Sequence, residues 1–150
     1  MSILINNKIF EVETEFRVRF SEVDSMRVVW HGNYLKYLED GREAFGSKYG
    51  LGYMDFFDNG MVTPLVSIEC NFKRPLYYGD TGIISTRYID TDAAKLMFEY
   101  TIYNKETKEI LSTAKSIQVF LNTDRELLLS FPEFFINWKR KMGLIPNNEQ

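Results

Sequence analysis

Histidine and cysteine each occur once in the 150 residues, as His31 and Cys70. A lone cysteine closes no intrachain disulfide, and without a Cys/His cluster there is no metal site and no bound cofactor is called for. Cys70 falls in an alternating apolar row and reads as a buried structural thiol. No stretch nears the roughly 18 apolar residues of a membrane span. The N-terminus lacks a basic segment followed by an apolar run, so no signal peptide is expected and the location reads as cytoplasmic. A basic excess is also missing. With 18 Lys and Arg against 21 Asp and Glu the net charge is −3, which argues against a nucleic-acid module. The local clusters Lys73-Arg74 and Lys139-Arg140-Lys141 read as solvated charge.

Aromatic residues, by contrast, are plentiful at 15%, mostly Phe and Tyr. They fit a bulky core, an oligomer interface or an apolar ligand channel. The length is that of a single domain, taken as residues 1–150. No repeat or linker interrupts it.

Residues 14–20 alternate, with Phe16, Val18 and Phe20 on one face, which predicts a half-buried strand. Tyr34, Leu38, Gly41, Phe45 and Tyr49 form one apolar stripe of a long amphipathic helix. Asn33 is a candidate N-cap and Gly50 a candidate stop. Gly41 in the buried stripe predicts close approach to a sheet. After a connection at 51–60, strand patterns cover 61–73, 82–89, 96–103 and 110–122. In the first of them Val66, Ile68, Cys70 and Phe72 share a face. The stretch "SFPEFFINWKRKMG" predicts a short closing helix with Ser130 and Glu133 at capping-box spacing, Pro132 in the first turn and Gly143 at the end. Strand, long helix, four strands and short helix give an α+β architecture with a mostly antiparallel sheet.

Two stretches carry a resemblance: "VRFSEVDSMRVVWHGNYLKYLEDGRE" and "GMVTPLVSIECNFKRPLYYGD". Together with the element order they resemble the hot-dog fold, and within it the 4-hydroxybenzoyl-CoA thioesterase-like family, including the acyl-CoA thioesterases encoded beside the Tol–Pal envelope system. The resemblance covers about Phe16 to Asn122. It implies a curved antiparallel sheet of about five strands around one long helix, with a short C-terminal helix. One departure is clear. That family usually has Gly before the Val-Val pair, where this chain has Arg27. Arg does not readily adopt the positive φ that Gly permits, so a changed loop, with Arg27 over the site, is the expectation.

Thioester hydrolysis needs an attack on the carbonyl carbon and a partner for the charge that builds on its oxygen. A helix N-terminus offers unpaired N–H groups and the positive end of a dipole. Trp30, His31 and Gly32 lead into such a terminus, and their amides are candidate oxyanion donors. The resemblance implies that Asp24 is the key carboxylate, as nucleophile or as general base. The His31 ring can orient water or relay a proton. Glu39, two turns into the helix, is read as an ion pair with Arg42, although other hot-dog branches use a helix carboxylate. Arg27, Tyr34, Thr63, Val66 and Ser67 are candidate substrate contacts. Lys73, Arg74 and Arg87 are candidates for the coenzyme A phosphates. The resemblance implies an acyl-CoA substrate, with acyl carrier protein as the other thioester donor, and a homodimer or homotetramer. The competing function is a hot-dog module that binds acyl-CoA or acyl carrier protein without hydrolysis. A third is dehydration of 3-hydroxyacyl thioesters.

Overall fold

The computed structural model describes residues 10–146. In chain order it contains β1 (Glu11–Arg17), α1 (Tyr34–Tyr49), α2 (Tyr53–Phe57), β2 (Met61–Val62), β3 (Leu65–Phe72), β4 (Thr81–Ile89), β5 (Lys95–Asn104), β6 (Ile110–Val119), β7 (Leu121–Asn122) and α3 (Glu133–Lys141). Five strands form one antiparallel sheet in the order β1-β4-β5-β6-β3, while β2 and β7 pair separately.

The apolar stripe of α1 is buried as its spacing predicts. Tyr34, Leu38, Gly41 and Phe45 all face inward. A Cβ at Gly41 would collide with the Thr86 hydroxyl of β4, so glycine is what lets the helix lie close to the sheet. Gly50 ends the helix in the left-handed conformation at φ 78°, its N–H donating to Gly46 O. Phe45 packs edge-on to Phe98, and Phe135 stacks on Trp138, so both flanks of the core are aromatic.

Several local expectations give way. The first strand stops at Arg17, and a 3-10 turn over Phe20–Glu22 turns Phe20 outward at 77% exposure. A helix replaces part of the 51–60 connection, because Phe56 reaches the core. Pro132 is itself the N-cap of α3 rather than a first-turn residue, and no Ser130–Glu133 capping box forms. Cys70 is only half-buried, since β3 is an edge strand and its apolar row is incompletely covered. Lys139 departs most from expectation. Instead of being solvated it is 1% exposed, with Nζ 3.0 Å from Asp90 Oδ1 and donating to Thr91 O. It also lies 4.2 Å above the Phe131 ring.

Candidate active site

The segment between β1 and α1 is a small hairpin. Val23 bridges to Val29, the Asp24 N–H donates to Val28 O, and the Arg27 N–H closes the turn on Asp24 O. A three-residue hairpin loop of this kind needs a left-handed residue at its end. Arg27 takes that place at φ 68°. The loop therefore keeps the shape that glycine would favour, against the expectation of a changed loop, and it carries backbone strain at Arg27. The Arg27 side chain is exposed and does not line the cleft beside Asp24.

Asp24 leads this turn. Its Oδ1 accepts the Met26 N–H at 2.8 Å, which fixes the carboxylate. Across the hairpin, Trp30 opens a 3-10 turn over His31–Asn33 that runs straight into α1. The helical N-terminus thus begins at His31, three residues earlier than the apolar stripe suggests. Asn33 caps nothing; its side-chain amide reaches back to Glu22 O.

Among the described hydrogen bonds, the His31 and Gly32 amides have no acceptor, which leaves them free at the positive end of the helix. The Trp30 amide is different. It donates to Glu22 O at 2.9 Å and is not available as an oxyanion donor. Gly32 lies under the Trp30 ring, which a Cβ would strike.

Asp24, His31 and Tyr34 line one open cleft of about 360 Å³, together with Phe72, Lys73 and Arg74. Tyr34 forms part of its wall, edge-on to Phe72 at 4.8 Å. Its hydroxyl pKa is raised, chiefly by burial, so it stays protonated and polar. Arg74 reaches the cleft with its charge already shared with Glu109 at 3.1 Å. Lys73 has no ion pair within 4 Å among the described residues.

The remaining candidates are not brought here. Arg87 pairs with Glu11 and Glu99 and turns away from α1, because its register places it opposite to Thr86. Thr63 lines a second, larger cavity of about 600 Å³ with Glu39, Arg42, Phe56, Phe98 and Gln118. Its carbonyl and hydroxyl take the Gln118 amide. Val66 and Ser67 lie exposed at a bulge on the free edge of β3 and line neither space. The expected Glu39–Arg42 pair does not form, since Arg42 donates instead to the Tyr100 hydroxyl at 3.0 Å. Glu39 therefore belongs to the larger cavity, apart from the Asp24 cleft.

Sequence reasoning also missed Glu22. Its carboxylate accepts the Tyr37 hydroxyl and the Arg19 N–H, and its carbonyl accepts two further donors. A side chain eleven residues from its partner leaves no periodic mark, although Glu22 and Asp24 sit together in "SEVDS".

Comparison with known proteins gives a consistent result. The model of the thioesterase-like superfamily matches residues 18–138. A protein of Bacillus subtilis, named provisionally as an acyl-CoA thioesterase, is 33% identical over 124 residues, covering 83% of this chain and 89% of that one. A chloroplastic acyl-acyl carrier protein thioesterase of Arabidopsis thaliana is 29% identical over 110 residues, covering 73% of this chain and 58% of its own length. Among solved structures, a DHNA-CoA thioesterase from Staphylococcus aureus superimposes with a TM-score of 0.78 at 24% identity, covering 89% and 92% of the two chains. The five-stranded antiparallel sheet with one long helix is thus the hot-dog arrangement of those structures.

Proposed function

This chain belongs to the thioesterase-like superfamily, and we propose that it hydrolyses acyl-CoA thioesters to a free acid and coenzyme A. The observation that carries this reading is one cleft lined both by a fixed carboxylate, Asp24, and by His31, the first residue of a helix start whose His31 and Gly32 amides have no acceptor among the described hydrogen bonds. A thioester carbonyl oxygen bound at those amides gains charge as its carbon is attacked. Each such donor contributes on the order of 3 kcal/mol to an acyl-transfer transition state. The attack has two forms at this site. Asp24 takes a proton from water, whose oxygen joins the carbonyl carbon. Or the Asp24 carboxylate itself attacks, and water then hydrolyses the resulting anhydride. In both, the C–S bond breaks and the thiolate leaves to be protonated. His31 lines the cleft, and its ring is the candidate relay that passes to the thiolate the proton given up by water. Solvent ¹⁸O in Asp24 after a single turnover identifies the anhydride route with water attacking the Asp24 carboxyl carbon, since the general-base route puts solvent oxygen only into the released acid.

Lys73 and Arg74 line the same cleft, and their charge supports the reading that they meet the coenzyme A phosphates. Binding without hydrolysis loses its main support, since Arg27 preserves the hairpin rather than disrupting it. Free-thiol release across short, long and aromatic acyl-CoAs, and acyl carrier protein thioesters, tests the reading. Turnover of at least one class, lowered about 10³-fold by Asp24→Asn in a folded protein, is expected. Binding with no thiol release would replace it by the non-hydrolytic module.

We also assign the free edge of β3 to pairing with a second copy. Val66 is 58% exposed there beside exposed Leu65, and the strand has no partner on that side among the described residues. Sedimentation should show an oligomer, and a charge at Val66 should dissociate it.

A further inference from the structure

We propose that Asn33, Glu22 and Tyr37 form a clamp that holds the His31 and Gly32 amides in register with Asp24, as positioning residues for the reaction. The inference rests on the reading of those amides and that carboxylate as the reacting groups. Its basis is a convergence on one residue. The Trp30 N–H and the Asn33 Nδ2 both donate to Glu22 O, at 2.9 and 2.8 Å. Trp30 and Asn33 bracket the two free amides, so the turn that presents them is pinned at both ends to a single oxygen.

That oxygen belongs to the residue two before Asp24. The Glu22 side chain is fixed in turn. Its Oε1 accepts the Tyr37 hydroxyl at 2.9 Å and the Arg19 N–H at 2.8 Å. Tyr37 is buried on α1 and stacks on Phe16 of β1, with ring centroids 4.2 Å apart. The clamp therefore ties three elements together: the strand end, the hairpin and the helix. A loop joined only by its own turn would move on the nanosecond scale. Misplacement by about 1 Å at a reacting centre can cost on the order of 100-fold in rate. Nothing in the clamp touches the cleft contents directly. Asn33, Glu22 and Tyr37 are absent from its lining.

The burial of Asn33 supports the same role. It is among the few polar side chains that the fold buries, and burying an amide is unfavourable unless its hydrogen bonds are met. An N-cap would leave it half in solvent. Here the side chain gives up the cap and spends its donor on the loop carbonyl. Tyr37 is raised well above an ordinary phenol, by burial first and then by its bond to Glu22, so it remains a donor at working pH.

The test uses Asn33→Ala and Tyr37→Phe, each alone and with Asp24→Asn. Tyr37→Phe keeps the ring stack and removes only the hydroxyl. Each single variant should lose about 10-fold in kcat with KM within twofold, because the acyl-CoA still binds while the amides drift. Adding either to Asp24→Asn should cost less than it costs alone, because register with the carboxylate no longer counts. Unchanged kcat in both folded variants, or losses that multiply with Asp24→Asn, overturns the proposal. NMR order parameters of the His31 and Gly32 amides give a reading without turnover. They should fall from near 0.85 toward about 0.6 in Tyr37→Phe or Asn33→Ala, and unchanged values overturn the clamp. A wild type that cleaves no thioester would instead sink the proposed hydrolysis. If Asn33→Ala does not fold, Tyr37→Phe decides alone.

Discussion

Two polar clusters lie toward opposite ends of α1, one at its start and one on α3, whose Trp138 donates to Tyr49 O at the end of α1, and they are built to opposite rules. Around α3, Lys139 reaches Asp90 and the Thr91 carbonyl, while the Tyr88 hydroxyl bonds the same Asp90 oxygen. The lysine is sealed from water by Phe131 and Phe135, and its charge is met. That cluster is closed. Around the N-terminus of α1, Asp24 is half exposed, and the His31 and Gly32 amides have no acceptor although their neighbours are tightly bonded. That cluster is open. Closed networks resist unfolding; open ones hold unspent hydrogen-bonding capacity for a ligand. The contrast shows where to look for chemistry in a small fold.

Breaking one member of each cluster should give mirror-image results. Asp24→Asn is nearly isosteric and should lower kcat/KM about 10³-fold, on the order of 4 kcal/mol, with little change in Tm. Lys139→Met should do the reverse. Removing one partner of a buried pair costs roughly 3–5 kcal/mol, which for a chain of this size lowers Tm by about 10 °C. Thiol release per folded molecule should stay within twofold. Calorimetry and a turnover assay on the same preparations check both; a Lys139→Met protein that is stable but inactive would erase the distinction.

Two smaller substitutions sharpen the comparison by probing the backbone midway along α1 and in the open cluster's own hairpin. Gly41→Ala drives a methyl toward the Thr86 hydroxyl and should cost roughly 1–3 kcal/mol, measured by urea unfolding. Arg27→Gly should act in the opposite direction. Relieving a left-handed residue should stabilise the fold by about 1 kcal/mol, while Asp24 keeps its turn and turnover changes less than twofold. A destabilised Arg27→Gly protein would mean that the arginine side chain makes contacts that outweigh the strain.

What the sequence disclosed follows from what periodicity can report. The helix stripe from Tyr34 to Phe45, the close approach at Gly41 and the stop at Gly50 are each written in consecutive spacing, and the fold matches them. Asp24 and His31 were legible because a loop motif places them next to a helix start, and the cleft does hold both. The polar clusters were not. Glu22 reaches Asn33 and Tyr37 over 11 and 15 residues, and Lys139 reaches Thr91 over 48. Such partners have no period and no fixed separation. Lys139 also looked like one of three solvated cations because charge alone says nothing of which side of a short helix is covered. Arg27 misled for another reason. Sequence preference says that arginine disfavours positive φ, but the hairpin closed by Asp24 and Val28 imposes it.

The most direct test of the account is a crystal structure of Asp24→Asn with an acyl-CoA analogue whose thioester is replaced by a ketone. The carbonyl oxygen should lie about 2.7–3.1 Å from the His31 or Gly32 amide, with the residue 24 side chain beside the carbonyl carbon. A carbonyl lodged in the larger cavity against Glu39, with both amides still free, would contradict it.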